Sequence, residues 1–239
     1  MLNVLIPMAG LGSRFQIKGY ELPKPLIDIN GVPMIVKVIQ SLELPDARYL
    51  FVISKNTYTS QLTTLIENNV KNCKFIEIDY TTEGPACSAL LFKDDINTDD
   101  ELIIANCDQI MEWDSENFLM NVRRFDGAVV TYHNDTDKNS YARIDKHGRV
   151  VEIREKEVIS NVSLNGIHYW RCGKFFVNSS QDMIAQDDRA PNGEFYVGPT
   201  YNYMIKRDQK VGIYHIPNQQ HHAVGVPIDL ENYIKYEKT

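Results

Sequence analysis

Three features of the 239-residue chain predict a three-layer α/β/α fold around a mixed, mainly parallel sheet. Short apolar runs alternate with helical patterns over the first half, the order of a parallel sheet covered on both faces. Those runs are apolar almost without interruption, as strands buried on two sides must be. Past residue 133 the pattern changes to period-two alternation, which predicts an antiparallel portion continuing the parallel one.

Residues 3–6 (NVLI) give the first strand. Residues 33–42 (PMIVKVIQSL) read as a helix with proline near its start, where the missing N–H costs little. A strand at 48–54 (RYLFVIS), a helix at 59–69, a strand at 73–79 (CKFIEID) and a short helix at 85–92 (PACSALLF) follow. A strand at 101–108 (ELIIANCD), a helix at 115–125 and a strand at 127–132 (GAVVTY) complete the first half. Residues 141–157 alternate about His147-Gly148, which predicts a hairpin. A strand at 165–171, a helix at 174–186, a strand at 211–217 and a helix at 227–238 close the order. With no repeat, low-complexity tract or linker, one domain over 1–239 is expected.

Hydrophobic residues make up 43% of the chain and charged ones 24%, enough for one substantial core. A net charge of −7 argues against a broad nucleic-acid surface, which is normally basic. It leaves room for an anionic small ligand held by a few local cations. The cysteines, Cys73, Cys87, Cys107 and Cys172, form no C-x-x-C pair and are expected to be buried free thiols. The start (MLNVLIPMAG) lacks a basic region, and no apolar run approaches the roughly 20 residues of a membrane span. A soluble, cytoplasmic protein without a membrane partner is expected.

The chemistry begins at PMAGLGSRF, where the first strand ends. A Walker loop requires G-x-x-x-x-G-K-[ST], which the chain lacks. In a Rossmann G-x-G-x-x-G fingerprint Gly10 and Gly12 fit, but Phe15 stands where the third glycine allows close helix–strand packing. The second strand is followed by ISKNTY, without the acidic ribose partner. A third reading makes the loop an anion-binding concavity of backbone N–H groups, with Arg14 adding a charged fork. A ligand-free turn is the alternative for the loop alone. Some ten residues on, LPKPLIDING mounts Lys24 between two prolines, which stiffen the backbone and fix where the lysine points.

Taken together, GLGSRF and PKPLIDINGVPMI resemble the signature of the sugar-1-phosphate nucleotidyltransferases, or NDP-sugar pyrophosphorylases. The chain is most similar in scale to single-domain members of bacterial capsule or lipopolysaccharide pathways. The resemblance implies a Rossmann-like sheet of the GT-A type, with a nucleotide-binding half over 1–132 and an acceptor-binding half over 133–239. It implies that Ala9, Gly10, Leu11, Gly12 and Ser13 hold the triphosphate, with Arg14, Lys24 and Lys156 as the catalytic cations. Asp108, in NCDQ after the fourth strand, becomes the ligand of Mg²⁺; from the residues alone it could equally cap a helix or turn. Asn106, with Thr82, Glu83 and Gly84 of TTEGPACSAL, falls to nucleotide recognition, and Asn165, Gly166 and Glu194 to the acceptor.

The chain departs from the family pattern at Glu157, which replaces the proline of an E-K-P element, and at Ala223, where many members carry a second metal-binding aspartate. His222 and Asp229 lie near that position. The implied reaction transfers a nucleotide from an NTP, with a pyrimidine (CTP or UTP) favoured, to a sugar-1-phosphate or polyol phosphate and releases pyrophosphate. Homo-oligomers are common in the family and are an implied possibility here. Two other readings stay open at this point: a nucleotide-sugar-dependent glycosyltransferase, which would want a D-x-D motif, and a nucleotide-binding module without catalysis.

Overall fold

The computed structural model describes residues 1–56, 58–136 and 139–238. In chain order the strands are β1 (Leu2–Pro7), β2 (Asp28–Ile29), β3 (Val32–Pro33), β4 (Arg48–Ser54), β5 (Cys73–Ile78), β6 (Glu101–Ala105), β7 (Gln109–Met111), β8 (Gly127–His133), β9 (Ser140–Ile144), β10 (Val150–Glu155), β11 (Val162–Trp170), β12 (Val211–His215) and β13 (His221–Ala223). The helices are α1 (Ser13–Ile17), α2 (Met34–Leu42), α3 (Thr59–Glu67), α4 (Pro85–Leu90), α5 (Lys93–Ile96), α6 (Ser115–Val122), α7 (Gly173–Ala185), α8 (Thr200–Ile205) and α9 (Pro227–Tyr236).

A nine-stranded sheet runs in the order β10-β9-β11-β6-β1-β4-β5, with β8 and β12 attached beside β11. The pairs β1–β4, β1–β6, β4–β5 and β8–β12 are parallel. Strand β11 is the hinge of the architecture: it runs antiparallel to β6 through Ile167–Trp170 and to β9 at Ser163, joining the two regimes. Along each central strand the side chains alternate between two cores. Val4 and Ile6, Phe51 and Ile53, and Ile103 and Ala105 face α2, α3 and α6. Leu5, Leu50, Val52, Leu102 and Ile104 face α4, α5, α7 and α8. That two-sided burial is the cause of the continuous apolar runs.

A smaller third core lies beyond the sheet. Phe15, Ile27, Ile29, Met34, Ile110, Val224 and Leu230 are buried together, so α9 clamps the segment between α1 and α2. The antiparallel ribbon β7–β13 contributes Ile110 and brings the chain back beside Asp108.

Several expectations need correction. The fourth strand ends at Ala105 rather than 108, so Asp108 sits in the turn before β7. β11 begins at Val162, earlier than expected, because its first residues pair with β8. The short helix expected over 85–92 ends at Leu90, and a second short helix, α5, follows it. The cysteines are free, as expected, but only half-buried. Among the described residues no helix is long and apolar enough to cross a membrane.

Candidate functional site

The glycine loop leaves β1 at Pro7 and turns at Gly12, whose φ of 61° is left-handed. A side-chain carbon there would come within 3.2 Å of Lys24 Cβ, so the bare glycine lets the loop rest on the lysine segment. Pro23 is extended (φ −54°, ψ 144°), and the Leu26 N–H donates to its carbonyl at 2.8 Å, closing a turn over Lys24–Leu26. Pro25 and Leu26 are buried, leaving the lysine head free to reach across.

It reaches Asp108. The Lys24 ammonium donates to Asp108 Oδ2 in an ion pair whose side chains are 16% and 18% exposed. Burial works against the charge on Lys24, but neighbouring Cys107 and the Asp108 carboxylate outweigh it, and the lysine is held above its ordinary range. Arg14 lies near enough to oppose that effect and, among the described residues, has no ion-pair partner. Gly225 backs the carboxylate: a side-chain carbon there would sit 2.5 Å from Asp108 Oδ2. The Val224 N–H donates to the Asp108 carbonyl at 2.9 Å, tying β13 to this turn.

Lys24 lines a cavity of about 290 Å³ with Gly10, Leu11 and Pro25, and two further cavities, which share Pro85, lie beyond the lip formed by the glycine loop and Arg14. The smaller, about 180 Å³, is lined by Ala9, Gly10, Thr82, Gly84 and Ser88. Gly84 has φ 133° and lies against the Phe195 backbone, where a side-chain carbon would be 2.6 Å from the Phe195 nitrogen. This close approach permits two backbone bonds, Ala86 N–H to Phe195 O at 3.0 Å and Phe195 N–H to Glu83 O at 2.8 Å. Thr82 Oγ1 bonds the Gly84 carbonyl at 3.1 Å and meets Ser88 Oγ at 2.6 Å. Glu83 points elsewhere and pairs with Arg189 at 2.6 Å.

The larger cavity, about 320 Å³, is lined by Arg14, Asn106, Ser140, Glu155, Lys156, Asn165, Gly166, His168, Tyr196 and Ala223, among others. Gly166 sits in the register shift of β11 with φ 94°; a side-chain carbon there would be 2.8 Å from Asn106 Cγ. The Asn106 N–H donates to the Gly166 carbonyl at 3.1 Å, so these two expected binding residues are one unit. Asn165 is buried and uses its Oδ1 to accept from the Ile167 N–H at 3.0 Å. Lys156 is a non-glycine residue with φ 55°, a conformation that costs of order 1 kcal/mol or more and that structure must hold in place. Its N–H donates to Asn139 O at 3.0 Å, and its ammonium donates to Tyr196 OH at 2.8 Å.

Arg14, Lys24, Asp108, Asn106, Gly166 and Lys156 therefore gather around the lip and the larger cavity. Glu194 does not: it lines the smaller cavity, where Asn192 Nδ2 donates to it at 2.9 Å. Leu11 and Ser13 border neither of these two cavities; Leu11 is exposed, and Ser13 opens α1. His222 is turned away, with Nε2 2.9 Å from Glu112 and its ring against Tyr233 and Tyr236. Asp229 borders, with His222 and Tyr236, a hollow that adjoins the larger cavity through Tyr132, Asn139, His221 and Ala223.

Sequence reasoning missed Glu155, Ser140, Tyr196 and His168. Glu155 is 9% exposed, accepts from Ser140 Oγ, and is pushed above the usual carboxylate range by burial. Its signal was present in EK of EIREKE, but only the lysine was singled out.

The metal question turns on the donor set. Among the described residues no group of three or more His, Cys, Asp or Glu side chains could enclose an ion. Asp108 offers a single carboxylate at the lip, a set that fits Mg²⁺, which keeps waters and phosphate oxygens around one or two carboxylates.

A model of the MobA-like NTP transferase domain matches residues 4–160. The chain is 28% identical over 239 residues to the bifunctional protein GlmU of Methanocaldococcus jannaschii, covering 98% of this chain and 54% of that protein. It thus spans about half the length of the curated relatives it matches. The nucleoside-diphosphate-sugar pyrophosphorylase of Vibrio cholerae superposes with a TM-score of 0.87 at 19% identity, over 97% of this chain and 99% of that one. A UDP-glucose pyrophosphorylase complexed with UDP-glucose superposes with a TM-score of 0.76 at 14% identity, over 100% of both chains. These two likenesses establish the shared fold. The family model spans residues 4–160, about two thirds of the chain, and establishes the family: the chain belongs to the MobA-like NTP transferases and is a nucleotidyltransferase.

Proposed function

We propose that the protein transfers the nucleotide of an NTP, with CTP or UTP preferred, to a sugar-1-phosphate or polyol phosphate and releases pyrophosphate. The product would feed surface polysaccharide synthesis. The observation that carries this reading is the cluster of Arg14, Lys24 and Asp108 beside the glycine loop, with Arg14 lining the larger cavity and Gly10 the smaller. One cavity suits the nucleoside and the other the acceptor, and only their shared edge needs to hold phosphate.

In this reading the backbone of residues 9–13 and Arg14 bind the β,γ-phosphates, and Thr82, Gly84 and Asn106 orient the nucleoside. Mg²⁺ held by Asp108, when bound, would neutralise charge on the triphosphate. Lys24 and Lys156 hold the two phosphates together against their mutual repulsion. An acceptor phosphate oxygen attacks the α-phosphorus in line; one P–O bond forms as the bond to pyrophosphate breaks. No general base is needed, because the attacking oxygen is already anionic. Positioning and charge neutralisation therefore supply the rate.

The test is thermal stabilisation by CTP, UTP, dTTP, GTP and ATP, with and without Mg²⁺. Ligand at about a hundred times its Kd adds about 2.7 kcal/mol to stability. A Mg²⁺-dependent shift confined to pyrimidines supports the reading, and a shift with nucleotide-sugars alone would return the glycosyltransferase.

A further inference from the structure

We propose that Gln109 and His221 are positioning residues for Asp108: a relay of two hydrogen bonds through them fixes the carboxylate that would hold Mg²⁺. The inference rests on the metal role given to Asp108 above and adds to it two residues that touch neither the metal nor the reacting phosphorus.

The ribbon brings the two residues together. Gln109 opens β7 immediately after Asp108, and β7 pairs with β13 so that Ala223 stands opposite Gln109 and His221 opposite Met111. Opposite residues share a face of an antiparallel pair, as do residues two apart on one strand. Gln109, Ala223 and His221 therefore lie on one side of the ribbon, and all three line the larger cavity. The Ala223 methyl fills little of the space between the other two. A glutamine is long enough to span the diagonal to His221.

The bonds have one possible direction. The Lys24 ammonium donates to Asp108 Oδ2, and Gln109 Nε2 donates to Oδ1 at 3.3 Å, so both oxygens of the carboxylate are held. On its other side the Gln109 amide oxygen meets His221 Nε2. A carboxylate accepts and cannot donate, so the amide must turn its NH₂ to Asp108 and its oxygen to the ring. The imidazole must then carry a proton on Nε2. Reversing the amide would set its oxygen against the carboxylate.

Both ends of the relay are anchored. The His221 ring packs on Tyr132 at 4.5 Å and 53°, and the Tyr132 hydroxyl accepts from Asn134 at 3.1 Å and Asn139 at 2.8 Å. At the near end the Val224 N–H fixes the Asp108 carbonyl at 2.9 Å. That bond holds the backbone and leaves the carboxylate free to rotate; Gln109 and Lys24 remove this freedom. Orientation matters here because, among the described residues, no cluster of three acidic, histidine or cysteine side chains surrounds the ion. A cation held by one carboxylate depends on where that group points, and losing a residue that orients a metal ligand typically costs about 10–100-fold in affinity.

The experiment measures triphosphate binding by isothermal titration calorimetry without acceptor, once in Mg²⁺ and once in EDTA. CTP, UTP, dTTP, GTP and ATP are tried on wild type, and the tightest is used throughout. The quantity read is the gain in affinity that Mg²⁺ brings. Gln109→Leu should reduce that gain about 10-fold or abolish it, and should leave the Kd in EDTA unchanged. His221→Phe keeps a ring against Tyr132 but loses the N–H, and should reduce the gain about five-fold. His221→Gln, which keeps an N–H donor, should restore most of it. The double variant Gln109→Leu/His221→Phe should lose no more than Gln109→Leu alone, because the two bonds act in series. If Gln109→Leu does not fold, the His221 pair carries the same prediction. An unchanged Mg²⁺ gain in Gln109→Leu or in His221→Phe, additive losses in the double variant, or an equal loss in EDTA would each overturn the relay and leave nucleotidyl transfer standing. Triphosphate binding indifferent to Mg²⁺ in wild type would remove the metal role of Asp108 and the relay with it. No binding of any triphosphate would sink the nucleotidyl-transfer reading itself.

Discussion

The two sides of the site are built by opposite means. The phosphate lip comes from two nearly contiguous stretches, 9–14 and 23–26, with one carboxylate added from the turn after β6. Glycine and proline shape it, and in the proposed reading its ligand groups are backbone N–H groups and cations. The larger cavity is assembled from the ends of β8, β9, β10 and β11, the 196–198 loop and β13, with side chains as its working groups. Phosphate is the same anion in every substrate, so a compact motif can hold it. An acceptor differs from protein to protein, and its pocket must be assembled from parts that vary independently.

If that contrast holds, damage to the lip should abolish turnover. Asp108→Ala and Lys24→Ala should each lower kcat by about 10²–10⁴-fold, since each removes charge stabilisation where negative charge collects. Steady-state pyrophosphate release measures this, and circular dichroism should show an intact fold. Wild-type turnover in Asp108→Ala would remove Asp108 from the metal assignment.

The joint between the two sides should break next. Gly84→Ala puts a side chain into the Phe195 backbone at φ 133° and should cost about 2–4 kcal/mol in urea unfolding. A loss near zero would mean that the bonds between 83–86 and Phe195 do not hold the cavities together.

A smaller effect separates the cavity floor from the lip by pH. The folded pKa of Glu155 is raised above its unfolded value near 4.5, so its contribution to stability is complete below that value. It is lost as pH rises through the folded pKa. Glu155→Gln should flatten that part of the curve, whereas Asp95, Glu101 and Glu237, whose pKa values are lowered, weaken the fold as pH falls and do so in both proteins. The gentlest test is Tyr196→Phe, which removes the 2.8 Å bond from Lys156. A loss of about 1 kcal/mol should raise the acceptor KM roughly five-fold and leave triphosphate stabilisation unchanged.

The same contrast explains what could be read from the chain. The lip was legible because GLGSRF and PKPLID carry their chemistry in local order. So were the central strands, whose two-sided burial makes the apolar runs continuous. The floor of the larger cavity was not legible, because His168 and Glu155 acquire meaning only from burial among residues far away in sequence. His168 reads as one polar residue in a strand until Trp170 and Tyr201 are seen stacked against it. Glu194 was placed with the acceptor because its loop resembles an acceptor segment, but its pairing beside Gly84 turns it toward the smaller cavity. The small elements β7, β13 and α8 escaped notice, being three to six residues long and without a period of their own.

The clamp formed by α9 has a consequence for biosynthesis. Asn30 donates to Glu237 at 2.8 Å, Lys37 pairs with the same carboxylate, and Tyr233 donates to it at 3.0 Å, while Leu230 seals the core beside Phe15 and Met34. The glycine loop and Lys24 are translated some two hundred residues before the helix that packs against their segment. A nascent chain thus carries the residues proposed to hold phosphate before the α9 contacts that brace their segment can form.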